Sequence, residues 1–266
     1  MSNVAIGFVG LGIGLVLLAL RIQIGVALGL VSFIGIGVLL NFRAAWGIIT
    51  AVPFNFVGDW NLTAIPMFLL MGFIAAEAGL SSGMFRAMRM FLSWLPGGLA
   101  IASVGANAVL AAASGSSVAT ASAFARIATP EMLRYGYNAG LATGVIAAAG
   151  TLGALIPPSI LMVLYGYLAE VSVAKLFAAG VVPGILTALA FSLMIIIRVL
   201  RNPSLAPKVD ETVTRAERIA ALKDVWALPV IILGVLSGIF AGFFTPTAAG
   251  AVGAALALLV ALARRS

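Results

Sequence analysis

The chain has 266 residues, 63% of them apolar and 9% charged, with a mean hydropathy of +1.20. An ordinary soluble domain is about 45–50% apolar and about 25% charged, so a soluble globular protein, a disordered chain and a coiled coil are excluded, and an all-α polytopic membrane protein remains. The net charge of +7 reports topology in such a chain, because Lys and Arg collect on the cytoplasmic side; it does not point to nucleic acid.

A helix needs about 20 apolar residues to cross a hydrocarbon core of roughly 30 Å. By that test residues 4–20, 24–41 and 65–80 are spans. No basic region precedes the first, so it reads as a retained span and not a cleaved signal. The aromatic, Pro-containing stretch 44–60 reads as interfacial. Residues 81–95 alternate charge and bulk at helical spacing, which predicts an amphipathic helix lying along the surface. Residues 139–167 are apolar but interrupted by GTLGALIPPS. Residues 181–200, 225–243 and 246–263 are three more spans. The polar stretch 201–224 reads as a solvent-facing linker with a short helix. The apolar segments run on without alternating, which argues against a β-barrel.

Residues 98–125 admit two readings, one crossing or a re-entrant helical hairpin. With a hairpin and the N-terminus outside, thirteen of the fifteen Lys and Arg face the cytoplasm, leaving only Arg43 and Lys175 outside. A single crossing places eleven inside. The positive-inside rule favours the hairpin, and with it seven crossings, a periplasmic N-terminus and a cytoplasmic C-terminus. The hairpin tip is then Ser114, Gly115, Ser116 and Ser117, with Thr120 one turn on.

Two apolar segments are therefore interrupted near mid-membrane: this tip, and the break holding Gly150, Thr151, Gly153, Pro157, Pro158 and Ser159. Each break frees carbonyls of the helix behind it and starts a helix whose N–H groups carry partial positive charge. Hydroxyls and free carbonyls suit a small hard cation such as sodium, with Ser114, Ser117, Gly150, Thr151 and Pro157 the candidate ligands; helix N-termini suit a carboxylate. Paired discontinuous helices are typical of secondary-transporter sites. The competing reading is packing and kinking alone, since Gly and Ser let membrane helices approach closely. Gly25-x-x-x-Gly29 and Gly180-x-x-x-Gly184 read as packing motifs. Glu77 reads as reaching the interface and Arg126 as a snorkelling anchor.

Enzyme chemistry finds no support. The chain has no Cys and no His, which removes disulfides, thiolate sites and any Ser–His dyad. No Asp occurs between Asp59 and Asp210, no Lys lies at membrane depth, and no P-loop is present. No cofactor is expected beyond a coupling ion.

The runs IPMFLLMGFIAAEAGLS, LPGGLAIASV, AASGSSVATASA, TPEM and GYNAGLATGVIAAAGTLGALIPPSILMVLYGYLAEVSVAKLFAAGVVPG, with GFFTPTAAGAVGAALALLVAL near the end, resemble the large membrane subunit of TRAP (tripartite ATP-independent periplasmic) transporters. The resemblance covers nearly the whole chain and is most specific from Ile65 to Gly184. It implies a sodium-coupled, elevator-type importer of organic acids in the bacterial inner membrane. The partners it implies are a periplasmic substrate-binding protein, a small TRAP membrane subunit and membrane lipid. It implies two inverted repeats, each with a hairpin and a discontinuous helix. Residues 1–200 would be the first repeat, 201–224 a cytoplasmic linker, and 225–266 the start of a second repeat that continues well beyond Ser266. On this reading the chain is the N-terminal two-thirds of such a subunit and is not expected to transport by itself. The family's hairpin motif falls on Ser114 to Thr120 and its first broken-helix motif on Gly150 to Ser159. The chain departs from the family at Thr120, where many members carry Asp, and near Arg126, where they carry a small residue. Two alternatives stay open: a related sodium–carboxylate transporter that needs no binding protein, and a non-transporting membrane scaffold.

Overall fold

The computed structural model describes residues 2–207 and 214–264, apart from the side chain of Arg215. Lys208 and Arg265, which the charge count uses, and the middle of the 201–224 linker lie outside the described residues. The chain divides into two compact units, the first ending at Asp59 and the second beginning at Trp60.

The first unit holds three helices, α1 (Asn3–Ala19), α2 (Ile24–Leu39) and α3 (Phe42–Gly58). Arg21 turns the chain between α1 and α2 at φ 63°. Asn41 starts α3 by accepting the Ala44 N–H at 2.7 Å. The ring of Phe33 on α2 meets Phe42 and Trp46 at centroid distances of 6.1 and 5.2 Å. The 44–60 stretch is thus helical, with Pro53 inside the helix. Among the described residues of this unit only Gly14, Ala27, Gly37 and Ala45 are buried. The large apolar side chains face outward, as expected where the solvent is lipid.

The second unit begins with a 3₁₀ turn, Trp60–Thr63, and α4 (Ala64–Glu77). There follow α5 (Leu80–Leu92), α6 (Gly98–Ser114), α7 (Ser117–Arg134), α8 (Ala139–Gly150), a single turn α9 (Leu152–Leu155) and α10 (Ile160–Leu168). The last four are α11 (Val173–Arg201), α12 (Arg215–Val225), α13 (Ala227–Phe240) and α14 (Pro246–Ala263). By length and composition Trp60–Glu77, α11 and α14 can each cross a membrane. Two bent pairs, Ala139–Leu155 with Ile160–Leu168 at 42° and Ala216–Val225 with Ala227–Phe240 at 46°, bring the number to as many as five.

The core of this unit is α6, buried at fourteen of its seventeen positions and packed by α4, α5, α7, α8 and α11. It is built from Ala, Gly and Ser with few large residues, and small side chains let neighbouring backbones close in on every side. The predicted surface helix at 81–95 is α5. Its apolar face, with Leu80, Met84, Phe85 and Ala87, is spent on protein, packing against α6 and α12. The described residues of the linker are mostly exposed. Ala206 and Ala221 are the buried ones among them, and the Leu205 carbonyl accepts the Asn138 N–H at 2.9 Å. α14 lies along α4 through Gly250, Gly253, Ala254 and Ala257. Its Thr247 hydroxyl donates to the Trp60 carbonyl at 3.3 Å.

Candidate functional site

The segment 98–125 is a helical hairpin whose second limb, α7, runs on to Arg134, nine residues past the expected end. Its base is closed by Tyr137, whose hydroxyl accepts the buried Leu99 N–H at 3.3 Å. Burial pushes the Tyr137 phenol above its ordinary pKa. Arg89 of α5 ties down the same end, pairing with Glu131 and donating to the Tyr135 hydroxyl at 2.8 Å.

At the other end two residues turn the chain. Gly115 sits at φ 62°, in the left-handed region that favours glycine. Ser116 then caps α7, its hydroxyl accepting the Ala119 N–H at 3.3 Å. Thr120 is fully buried and donates to the Ser116 and Ser117 carbonyls at 2.9 and 3.1 Å. A hydroxyl that donates keeps its lone pairs for another partner. The N–H groups of Ser117 and Val118, and the Ser117 hydroxyl, make no hydrogen bond among the described residues.

The break in 139–167 is equally real. α8 ends at Gly150, α9 makes one turn, and α10 starts after Ser159. Ser159 is fully buried and donates to the Ala154 carbonyl at 3.0 Å, a group that the break has released from the helix. Thr151 instead is exposed, its hydroxyl bonded to the Ala148 carbonyl one turn back.

Tertiary structure brings the two breaks into contact. The Ile160 N–H, first of α10, donates to the Gly115 carbonyl at 3.0 Å. A Cβ on Gly115 would stand 2.9 Å from the Pro158 carbonyl oxygen, and one on Gly153 would stand 2.8 Å from the Ser117 nitrogen. A Cβ on Gly150 would stand 2.6 Å from that of Ala121. Gly72 of α4 closes the far side, 2.5 Å from Ser114 by the same measure. Glycines at these points let backbone meet backbone, which is where unpaired carbonyls and N–H groups can converge on one ligand.

Ser114, Gly115, Ser116, Ser117, Thr120, Gly150, Gly153, Pro157, Pro158 and Ser159 therefore gather in one place, with Thr151 at its exposed edge. At the start of α10 the Gly115 carbonyl takes the Ile160 N–H, and the Leu161 and Met162 N–H groups, like those of Ser117 and Val118, make no hydrogen bond among the described residues. Glu77 and Arg126 are exposed on α4 and α7. Sequence reasoning missed Gly72, Ala154 and Asn107. Gly72 carried a signal, a lone glycine inside an apolar run. Asn107 carried another, the one amide in the first limb of the hairpin; it is fully buried and neither its oxygen nor its nitrogen has a partner among the described residues.

Residues 11–266 match the family described as tripartite ATP-independent periplasmic transporter, DctM component. The C4-dicarboxylate TRAP transporter large permease protein DctM of Vibrio cholerae is 38% identical over 250 residues, which is 94% of this chain and 54% of that protein. The protein of the same description from Pseudomonas aeruginosa is 42% identical over 203 residues, 76% of this chain and 47% of its own. The sialic acid TRAP transporter permease protein SiaT of Haemophilus influenzae is 33% identical over 245 residues, 89% of this chain and 38% of its own. The chain spans about half the length of the DctM relatives it matches, less than the two-thirds expected.

Proposed function

The chain belongs to the DctM family of tripartite ATP-independent periplasmic transporters, and on that footing we propose that it supplies the first-repeat part of a sodium-coupled permease importing organic acids. The permease works in the bacterial inner membrane with seven crossings of this chain, the N-terminus periplasmic and the C-terminus cytoplasmic. Residues 1–200 form the first repeat, 201–224 the cytoplasmic linker and 225–266 the start of the second. A periplasmic binding protein delivers the acid, and a small membrane subunit completes the assembly.

One observation carries this reading: the Gly115–Ile160 hydrogen bond, which locks the hairpin tip onto the helix break. A scaffold has no need of two interrupted helices joined through their backbones, because each interruption leaves polar groups that are costly in a membrane. Sodium is held by hydroxyls of Ser114, Ser117 and Thr151 and by carbonyls of Gly150 and Pro157. The substrate carboxylate meets the Ser117 and Val118 N–H groups, where the helix dipole of α7 adds partial positive charge. The remaining half of the full-length relatives supplies the opposite wall, and an elevator movement of the hairpin against the scaffold carries both across.

Thermal unfolding in sodium against potassium or choline, at equal ionic strength, tests the site. A ligand that binds only the folded state stabilises it by about 2.7 kcal/mol at 100-fold excess over Kd. A sodium-specific rise that disappears in Ser117→Ala is the expected result. A rise of equal size in potassium, or one that Ser117→Ala retains, sinks the ion assignment. In a subunit of the relatives' full length, sodium-dependent uptake unchanged in Ser114→Ala would sink it as well.

A further inference from the structure

Away from the hairpin tip, several helix ends converge. The C-terminus of α4 at Ala78, the junction of α12 and α13 at Lys223–Ala227 and the last turn of α14 enclose a cleft of about 620 Å³. Its cations are Arg86 of α5, Lys223 of α12 and Arg264 after α14; its carboxylate is Asp224. Arg264 donates to the Asp224 backbone carbonyl. None of the three cations forms an ion pair among the described residues. The N-terminus of α13 adds partial positive charge, and the C-termini of α4 and α14 add partial negative charge that the cations offset.

A second cavity, a groove of about 420 Å³, runs between α4 and α14. Its walls are apolar, with Phe73, Ile74, Leu258 and Leu262, and Glu77 stands at its rim. Ala78 and Arg264 line both spaces, so groove and cleft adjoin at these residues. Phe73, Leu258 and Leu262 are about half exposed. Trp226 stands exposed at the cleft, a residue type enriched at membrane–water interfaces.

We infer that cleft and groove together bind one anionic phospholipid, its phosphate between Arg86, Lys223 and Arg264 and an acyl chain in the groove between α4 and α14. Basic pockets between membrane helices recognise anionic headgroups, and arginine forks suit phosphate oxygens. The adjoining apolar groove is what selects a lipid over a soluble phosphate. The inference stands apart from the transport reading, since it uses none of the hairpin-tip residues.

The test is native mass spectrometry of the detergent-solubilised chain titrated with phosphatidylglycerol, phosphatidylcholine and glycerol 3-phosphate. Phosphatidylglycerol is expected to bind at least tenfold more tightly than phosphatidylcholine. Arg86→Gln and Lys223→Gln should each weaken it about fivefold, and the triple variant with Arg264→Gln about 100-fold. Arg198→Gln with Arg201→Gln, at the end of α11, should leave it unchanged. Ala261→Phe, which narrows the groove, should weaken the lipid and spare any glycerol 3-phosphate binding. Equal binding of the two lipids overturns the inference, as does an equal loss in the α11 pair. Glycerol 3-phosphate binding as tightly as the lipid would also overturn it, leaving a phosphate site without a lipid. Lys223→Gln alters one exposed side chain, so its unfolding temperature should match the parent and its result stands if the triple variant misfolds.

Discussion

α6 and α11 are both apolar helices, yet α6 is buried at fourteen of seventeen positions and α11 at five of twenty-nine. The difference lies in side-chain size. α6 is mostly Ala, Gly and Ser, while the outer faces of α11 carry Val182, Ile185, Leu186, Leu189 and Leu193. Lipid tails are as apolar as Leu, so burying a large aliphatic side chain between membrane helices gains little from leaving lipid. Close backbone approach gains dispersion contacts, and only small residues permit it. In this protein apolarity selects the membrane and size selects the interior.

The largest expected effect tests that contrast directly. Ala106→Leu adds bulk at a fully buried position of α6 and should cost about 1–3 kcal/mol, read by unfolding in detergent. Leu189→Ala on α11, where the side chain is 60% exposed, should change stability by less than about 0.5 kcal/mol. Equal losses would break the comparison. A matched glycine pair sharpens it. Gly153→Ala drives a Cβ into the Ser117 backbone and should destabilise by about 1–3 kcal/mol. Gly144→Ala on α8, with nothing within 4 Å, should stabilise by up to about 1 kcal/mol through helix propensity.

Asn107 is the one amide inside α6. Its amide is buried without a partner among the described residues, a state that costs about 1–3 kcal/mol, so Asn107→Leu should raise stability by about 1 kcal/mol. A fall would show that a bound water or ligand satisfies the amide. The smallest effect concerns α12. Glu217 accepts the Thr214 N–H and hydroxyl, both at 2.8 Å, and these bonds hold its carboxyl below the usual range. Because the folded-state pKa is depressed, the capping contribution is present above the unfolded pKa and is lost as pH falls through the folded value. The stability difference between the parent and Glu217→Ala should therefore be small at neutral pH and vanish in acid; a difference that grew in acid would contradict the capping box.

Much of the candidate site was legible because irregular backbone inside an apolar run has to be explained by something. SGSS and GTLGALIPPS are interruptions that hydropathy and Gly, Ser and Pro content expose without any structure. Gly72 escaped because one glycine in a span has several common causes, and nothing along the chain says that it faces Ser114. What covers the apolar face of α5 was not legible for a related reason. Its amphipathic spacing states that one face is apolar, but lipid surface and protein satisfy that face equally, and the packing of α6 and α12 decided for protein.

What the sequence by itself determined was the membrane, the all-helical class, the family and the position of both breaks. Each follows from composition or from local order along the chain. Only the tertiary structure decided that the breaks meet, that the Gly115 carbonyl rather than a ligand takes the Ile160 N–H, and that Arg86, Lys223 and Arg264 surround one cleft. These are contacts between residues distant in sequence, and they depend on how closely small residues let helices approach, which no local pattern records.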